Sequence, residues 1–472
     1  MAALLSRSTF LCKLKPLLSK CRQKELTNHR LALKSYSSAG MQAQVDVLAC
    51  NIYVSEGHNR GALQAMQDSL NEAPGVHIAH VFVDAPYHRT GFTLTSLNTD
   101  QLLAGALALS HTALGLIDLR NHKAKHPRLG ALDHISVHHL GSHSLPTRTP
   151  SSQPASSAPK GCLTNSQGCL QGPPDLSSHA HQPLTSHQEL DGSRLSGDEK
   201  SKEASSGPDD LPGCVARALG RALAGPQFGL PVYYYGSAHP QQRRLADVRR
   251  GLGYFKGSNA QRTMTPAGSA GAGEASRPGH NSSSRGVDAP EWQGGLPMTH
   301  LSHFPPDEGP LELKPQHGVV TIGSGPWVVN YNVPVMLQIA KGSESVRGAV
   351  AGGLDGVEGG GEAPGLENRD TSSELLQLAA AKVLAKGVSE RGGGLKLVES
   401  MALAHEDGIV EVACNLLGGG EGVAPLDVQV YIEKLAQKLN EGAVKVIVGQ
   451  GYQTGKSPQQ LVQLTMHALA CG

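Results

Sequence analysis

One histidine stands in a sequence frame that suits proton transfer. In the stretch NHKAKHPRLGALDH (121–134), His126 precedes Pro127 and Arg128, and Gly130 leads into a predicted strand. Pro127 lacks a backbone donor and biases His126 away from helical geometry, so the loop backbone is restricted. Imidazole titrates near neutral pH, which makes His126 a candidate general acid or base. The alternative is an ordinary loop histidine in a chain with 22 of them.

Two other histidine spacings invite a metal-site interpretation, and neither is favoured. His122 and His126 are four positions apart, but no glutamate lies between them and Pro127 opposes a continuing helix. His134 and His138 share one face of a predicted strand, yet no carboxylate or cysteine stands at a ligand spacing. The eight cysteines form no Cys-x-x-Cys pair, so we expect reduced thiols. The sequence therefore predicts no metal site.

Two glycine-rich stretches are candidates for ligand-binding loops. GQGYQTGKS (449–457) lies between a predicted strand and a predicted helix, but Gln450 occupies the first glycine position of a phosphate-binding loop. Nucleotide hydrolysis is therefore not favoured. GPLELKPQHG (309–318) contains two prolines that stiffen it, which suits a loop that contacts a ligand. A plain linker is the alternative.

Alternating strands and helices must position these residues. Strands are predicted at 44–55, 76–84, 89–96, 132–140 and 231–238, and helices at 59–73, 99–117, 212–224 and 242–252. The C-terminal half continues with strands at 318–335, 408–417 and 443–451, and with helices at 426–440 and 458–470. This order predicts an α/β (α+β) fold of two halves, each a sheet covered by helices on one side.

Three stretches rich in small and polar residues interrupt these elements, at about 141–210, at 257–290 and at about 343–372. They contain too few apolar side chains to offset the ordering of their backbone, so we expect flexible insertions. The expected domains are 41–256 and 291–472, with 257–290 as the linker.

The first 40 residues differ from the rest of the chain. They hold eight Lys or Arg residues and a single acidic residue, Glu25, interleaved with leucines. This composition is typical of an organelle transit peptide, with the mitochondrion ahead of the plastid. A disordered basic tail on a cytoplasmic protein is the alternative.

Overall charge and hydropathy exclude some classes of partner. The formal net charge is +1, so the chain as a whole has no strong positive electrostatic field that would attract nucleic acid. No apolar run approaches the roughly 20 residues that span a bilayer. We expect a soluble protein with small-molecule substrates, no nucleic-acid or membrane partner, and a possible homodimer.

Several stretches resemble, in order, the formiminotransferase domain of the glutamate formimidoyltransferase family. The similarity is to the plant-type branch without a cyclodeaminase domain, so no cyclodeaminase reaction is expected. The most specific stretch is IDLRNHKAKHPRLGALD (117–133). The others are CNIYVSEGHN (50–59), HVFVDAPYHRT (80–90), LPVYYYGSA (230–238), RRLADVRRGLGYFK (243–256), GVVTIGSGPWVVNYNVPV (318–335), GGLKLVESMALA (393–404) and VEVACNLL (410–417).

The resemblance implies two ferredoxin-like subdomains that form a formiminotransferase fold with a folate tunnel between them. It also implies one-carbon chemistry, in which a formimidoyl group passes from N-formimidoyl-glutamate to N5 of tetrahydrofolate. Tetrahydrofolate is then a co-substrate, and no metal is needed. The family's active-site histidine falls on His126.

Further site residues follow from the same resemblance. Asp84 and Arg89 fall on the family's first hairpin, where Asp84 is expected to orient His126 or to hold a cationic amidine. Arg89 and Arg128 are expected to bind substrate carboxylates as planar forks, with a structural or solvated charge as the alternative. The folate-contacting stretch falls on Gly309, Pro310, Pro315, Gln316, His317 and Gly318.

The chain also departs from the family pattern beside the predicted site. The turn after Asp84 is one residue shorter than in the animal enzyme, and His88 stands where an asparagine is expected. This departure leaves a formyl donor open as well as a formimidoyl donor. It also leaves open a non-catalytic folate-binding protein. A third alternative is an interaction scaffold that recruits partners through the long polar insertions.

Overall fold

The computed structural model describes residues 44–144, 210–254, 292–293, 296, 300–339 and 369–471, except 407, 419–421 and 441–443. The transit peptide predicted at 1–40 lies outside the described residues and stays a prediction. The same holds for most of the predicted insertions. Two of their boundaries differ from expectation, because a strand continues to Ser144 and a helix begins at Arg369.

The N-terminal half contains eight strands and four α-helices among the described residues. They are β1 (Gln44–Val54), α1 (Arg60–Asp68), β2 (His77–Asp84), β3 (Arg89–Ser96), α2 (Thr99–Leu116), β4 (Lys123–Ala124), β5 (Leu132–Ser144), α3 (Leu211–Ala224), β6 (Val232–Gly236), α4 (Leu245–Gly251), β7 (Trp292–Gln293) and β8 (Val320–Ser324).

Six of these strands form one sheet in the order β2-β3-β1-β5-β8-β6. The pairs β2-β3, β3-β1 and β1-β5 are antiparallel, whereas the pairs β5-β8 and β8-β6 are parallel. Because side chains alternate along a strand, Cys50 and Ile52 of β1 enter the core beneath the helices, while Asn51 and Tyr53 face the opposite side. That opposite side carries the polar and aromatic residues of the site described below.

The C-terminal half has a second sheet. Its elements are β9 (Val329–Ile339), α5 (Arg369–Val388), β10 (Val398–Ala404), β11 (Val410–Leu416), α6 (Pro425–Leu439), β12 (Val444–Val448), β13 (Tyr452–Gln453) and α7 (Pro458–Cys471). The strand order is β10-β11-β9-β12, and β13 also pairs with β9. Apolar side chains of α5 and α6 cover one face. The order β9-α5-β10-β11-α6-β12 is a β-α-β-β-α-β unit, as is β1-α1-β2-β3-α2-β5.

The α/β class predicted from the sequence is confirmed, and one predicted strand is corrected. The apolar run at 318–335 forms two strands, β8 and β9, which belong to different sheets. Gly325 and Pro326 lie between them, and Pro326 has no amide to donate to a ladder. The chain therefore passes from one half to the other in the middle of a continuous hydrophobic run.

Helix α5 and strand β10 were not among the elements predicted from periodicity. Alanine and leucine residues surround α5 on several sides, so no narrow apolar stripe marks it. No helix among the described residues is both long and apolar enough to cross a bilayer. Among the described residues, Cys50, Cys214 and Cys414 form no disulfide bond.

The loop that follows His126 packs tightly against the residues before β8. Gly130 forms a β-bridge with Gly318, and a Cβ on Gly130 would stand 2.0 Å from the Val319 carbonyl oxygen. We expect Gly130→Ala to destabilise the protein by about 1–3 kcal/mol, because backbone must move to admit the methyl group. Urea unfolding measures this change.

Gly115→Ala is the matched control for that substitution. Gly115 lies near the end of α2, and a Cβ there meets nothing within 4 Å. Alanine favours helix, so this variant should gain about 0.5–1 kcal/mol. Equal effects of the two substitutions would contradict the packing described for Gly130.

Candidate functional site

His126 is held as a neutral imidazole with a defined tautomer. Its Nε2 lies 3.0 Å from Nη1 of Arg89, and its Nδ1 lies 2.6 Å from the Pro127 carbonyl oxygen. A guanidinium only donates, so Nε2 accepts and Nδ1 carries the proton. Burial and the positive charge of Arg89 hold the pKa of His126 well below its ordinary value. The side chain can therefore accept a proton at neutral pH.

Arg89, at the start of β3, contacts three different groups. Besides His126, its guanidinium lies 3.3 Å from Oδ2 of Asp133 and 4.4 Å from the centre of the Tyr53 ring. Asp133 is only 1 % exposed and also accepts from the Leu129 amide at 2.6 Å. The carboxylate connected to His126 is therefore Asp133, acting through Arg89. Sequence reasoning missed this role, although Asp133 stands within the most specific stretch.

Asp84 lies on the other side of Tyr87 from His126. Its Oδ1 accepts from the Tyr87 amide at 3.1 Å and is 3.6 Å from Nε2 of His405. The Tyr87 ring meets both imidazoles edge-on, at 5.4 Å from His126 and 4.9 Å from His405. Burial lowers the pKa of His405, but its bond to Asp84 and the charge of Glu411 outweigh burial and raise it. Asp84 thus pairs with a histidine that sequence reasoning did not identify.

Glu411 of β11 connects this hairpin turn to the second sheet. It is 2 % exposed and accepts from the Tyr87 hydroxyl at 3.0 Å, the Tyr452 hydroxyl at 2.7 Å and the Asn332 amide at 2.9 Å. Burial raises the pKa of Glu411 despite these donors. The three bonds satisfy a buried carboxylate, and they tie the turn that precedes Arg89 to the C-terminal half.

Arg128 is part of the loop framework. It is 3 % exposed, and its Nη2 donates to the His122 carbonyl oxygen at 2.7 Å. The carbonyl that it contacts belongs to the same loop. Of the two arginines predicted to bind substrate, Arg89 is therefore the one whose guanidinium bonds to His126.

The predicted folate-contacting loop packs beneath the His126 loop. Its backbone carbonyls at Gln316 and His317 accept from Leu119 and Ala131, at 3.0 and 2.8 Å. Gly309 and Gly318 have φ of +92° and +68°, and a Cβ on either would stand 2.2 Å from a backbone oxygen. Both positions therefore require glycine for structural reasons. Pro310 and Pro315 lie between these glycines, and no residue of the loop lines the cleft described next.

A cleft lies between the C-terminal half and the side of the first sheet that faces away from its helices. The empty space in the cleft and at its mouth is about 420 Å³, open solvent included. Tyr53 lines the cleft and also contacts Arg89, and the Tyr53 hydroxyl lies 3.4 Å from Oδ1 of Asn330. Thr454, Gly455 and Lys456, from the glycine-rich stretch at 449–457, line its far side. Its other polar and aromatic lining residues include Asn51, His80, Thr93 and Trp327.

The remaining histidines of interest are engaged with protein groups. His134 Nε2 lies 2.6 Å from the Tyr235 hydroxyl, and His138 Nδ1 lies 2.8 Å from the Gly325 carbonyl oxygen. Within the described ranges, no three His, Cys, Asp or Glu side chains converge as metal ligands. His122 instead stacks on His88, with ring centres 3.9 Å apart.

Comparison with known proteins places this geometry in a family. The model of the formiminotransferase domain, N-terminal subdomain, matches residues 47–158 and 210–325. A formiminotransferase cyclodeaminase-like protein of Arabidopsis thaliana is 30% identical over 424 residues, which cover 89% of this chain and 96% of that protein. A formimidoyltransferase-cyclodeaminase of Rattus norvegicus is 34% identical over 87 residues, 18% of this chain and 16% of that protein.

A glutamate formimidoyltransferase of Streptococcus pyogenes serotype M1 is 30% identical over 87 residues, which cover 18% of this chain and 29% of that protein. The similarity to the Arabidopsis protein extends over both halves of the fold. The family model itself covers the segments that carry Arg89, His126 and Asp133. The chain therefore belongs to the formiminotransferase family.

Proposed function

We propose that this protein transfers a formimidoyl group from N-formimidoyl-glutamate to N5 of tetrahydrofolate, which serves as the co-substrate. Membership in the formiminotransferase family supports a folate-related transferase. The observation that carries the finer proposal is the state of His126, a neutral imidazole whose Nε2 can accept a proton. Arg89 contacts this imidazole and stacks on Tyr53, which lines the cleft.

The reaction requires one group that moves a proton twice. N5 of tetrahydrofolate attacks the formimidoyl carbon, and the new N5–C bond gives a tetrahedral intermediate. His126 Nε2 takes the N5 proton and then returns it to the glutamate nitrogen as the C–N bond to that nitrogen breaks. The products are 5-formimidoyl-tetrahydrofolate and L-glutamate. A base with a depressed pKa is already neutral when the reaction begins.

Arg89 governs the availability of His126 Nε2. The bond from Arg89 occupies the lone pair that must receive the N5 proton. A carboxylate accepts from a guanidinium more strongly than a neutral imidazole does, because both partners are charged. A substrate carboxylate that binds Arg89 therefore frees Nε2 at the moment when both reactants are in place.

The cleft has the features of a pterin site. Tyr53 and Trp327 offer aromatic faces, and Asn51 and Asn330 offer amide donors and acceptors. Tyr53, which lines the cleft, is also the ring on which Arg89 stacks. Folate contact by the loop at 309–318 stays a prediction, since its carbonyls support the backbone around His126.

A non-catalytic folate-binding protein is the second candidate. The occupied Nε2 of His126 favours it, because a permanently engaged imidazole accepts no proton. Calorimetry with 5-formyl-tetrahydrofolate, combined with turnover assays on formimidoyl and formyl donors, separates the two. Binding without turnover of either donor favours the second candidate.

His126→Gln tests the catalytic assignment. Glutamine retains an acceptor for Arg89 but does not shuttle a proton, so we expect kcat to fall about 10²–10⁴-fold. Affinity for 5-formyl-tetrahydrofolate should stay within about threefold, since the cleft is unchanged. His139→Gln, at an exposed histidine paired with Asp46, is the matched control and should keep wild-type activity. Full activity in His126→Gln would refute the assignment.

The pH dependence of kcat/KM gives an independent test. His126 acts as a base, so activity is lost as pH falls through its pKa, which lies below the ordinary histidine value. The wild-type acidic limb should therefore lie below pH of about 6.5. Arg89→Met removes a positive charge. The pKa of His126 should therefore rise, and the acidic limb of the kcat/KM profile should move to higher pH.

NMR titration of the imidazole, assigned by its loss in His126→Ala, measures the same shift without turnover. Arg120→Met is the control, because Arg120 is exposed and paired with Asp118. That variant should leave both the limb and the imidazole titration in place. An acidic limb that does not move in Arg89→Met would contradict the electrostatic role of Arg89.

A further inference from the structure

A second arginine lies at the site, and the mechanism above does not use it. Arg249, on α4, places its guanidinium 4.7 Å from the centre of the Tyr254 ring. That ring lies 6.3 Å from the ring of His126. The charges of Arg249 and Arg89 both act on the phenol of Tyr254, whose pKa burial raises and these charges lower. Arg249 is therefore connected to His126 through the Tyr254 ring, and its charge acts on the proposed base together with that of Arg89.

Arg249 has no anionic partner among the residues that the structure describes. Its Nε is buried without a hydrogen-bond acceptor, and so is the Nε of Arg89. The carboxylates whose charges act on Arg249 are Asp133 and Glu399. Each of these is already paired, Asp133 with Arg89 and Glu399 with Arg244. Buried guanidinium donors without acceptors are costly, and a bound anion would satisfy them.

The positive charges of Arg249 and Arg89 act on the same two side chains, His126 and His134, so their electrostatic effects there add. Burial and then Arg89 lower the pKa of His126, and Arg249 contributes to the same shift. For His134, burial is followed by Arg249 as the larger charge, with Arg89 next. Asp133 is the one carboxylate that acts on both arginines, since Glu399 is paired with Arg244. Two guanidinium groups against one carboxylate leave an excess positive charge, which points to an anionic ligand.

Position identifies the kind of anion. The two arginines lie near His126, the proposed base. The negative charge of a ligand that they bind must therefore lie close to the two nitrogen atoms between which the formimidoyl group passes. In tetrahydrofolate, the whole p-aminobenzoyl group separates N5 from the glutamyl carboxylates. In an N-formimidoyl amino acid, the α-carboxylate is attached to the carbon that carries the reacting nitrogen. Planar carboxylate and guanidinium groups match as bidentate pairs.

We propose that Arg249 and Arg89 together bind the α-carboxylate of the one-carbon donor, which makes the site selective for N-substituted α-amino acids. This inference rests on the proposed function and assigns the donor side of that site. Arg249 takes the role that the sequence suggested for Arg128, whose guanidinium donates within its own loop. The carboxylate also draws Arg89 away from His126, so donor binding and release of the base are the same event.

Arg249→Met removes the charge and keeps much of the side-chain volume over Tyr254. The ligand probe is L-glutamate, the product that retains the α-carboxylate, titrated by calorimetry into protein saturated with 5-formyl-tetrahydrofolate. We expect the Kd for L-glutamate to rise at least about tenfold, in line with loss of charge-assisted bonds. The Kd for 5-formyl-tetrahydrofolate should change less than about threefold. Arg249→Lys should recover part of the loss.

Arg250→Met is the matched control, because Arg250 is the next residue on the same helix, exposed and paired with Asp247. It should leave both affinities unchanged. The inference is overturned if the wild type does not bind L-glutamate, or if Arg249→Met binds it like the wild type. Weaker binding of 5-formyl-tetrahydrofolate, with L-glutamate unaffected, also overturns it and assigns Arg249 to the folate tail.

The inference and the proposed function fail in different ways. If the wild type binds L-glutamate through Arg249 but does not turn over N-formimidoyl-glutamate, the carboxylate site stands and the reaction is wrong. If turnover occurs and Arg249→Met leaves kcat/KM for the donor unchanged, the reaction stands and the carboxylate site is wrong. Thermal unfolding of each variant confirms that it is folded.

Discussion

The site depends on where the Arg89 guanidinium finds its partners. A single partly buried cation donates to His126, lies 3.3 Å from Asp133 and stacks on Tyr53. Removing any one partner leaves a desolvated charge less well compensated, which is far more costly than losing a surface contact. The base, the carboxylate and the wall of the cleft are therefore fixed relative to one another by one side chain. Burial and the charge of the same cation lower the pKa of the imidazole and keep it neutral, so Arg89 contributes to both its position and its protonation state.

Both halves of the fold position Arg89. The hairpin turn before Arg89 belongs to the first sheet, and side chains of the second half bond to it. Tyr87 reaches Glu411 of β11, and Asp84 lies beside His405. Between β8 and β9 the chain crosses from the first sheet to the second, at Gly325 and Pro326. Both contacts and the covalent crossing lie between the halves, and so does the cleft. A ligand in the cleft therefore touches a surface to which both sheets contribute.

The sequence could identify residues whose function is marked by their immediate neighbours. His126 is recognisable because Pro127 and Gly130 restrict its loop, and the alternation of apolar residues predicts most strands and helices. Asp133, Arg249, His405 and Glu411 could not be identified in this way, because each gains its role only through tertiary contacts with distant residues. Arg128 was predicted to bind a substrate carboxylate because it stands in the His126-Pro127-Arg128 stretch, whereas the structure buries it and its guanidinium donates within its own loop.

The opening stretch Ser55-Glu56-Gly57 shows how a departure in the turn is accommodated. The Ser55 hydroxyl donates to the Gly130 carbonyl at 2.8 Å, and a Cβ on Gly57 would stand 2.9 Å from the amide of Arg89. Burial raises the pKa of Glu56, but bonds from His88 and from two backbone amides lower it to about 2. Glu56 is therefore an anion that holds the ring of His88, the residue that departs from the family pattern. Because the tripeptide contacts both loops, it helps to set the separation of Arg89 and His126, while His88 bonds to Glu56 and stacks on His122.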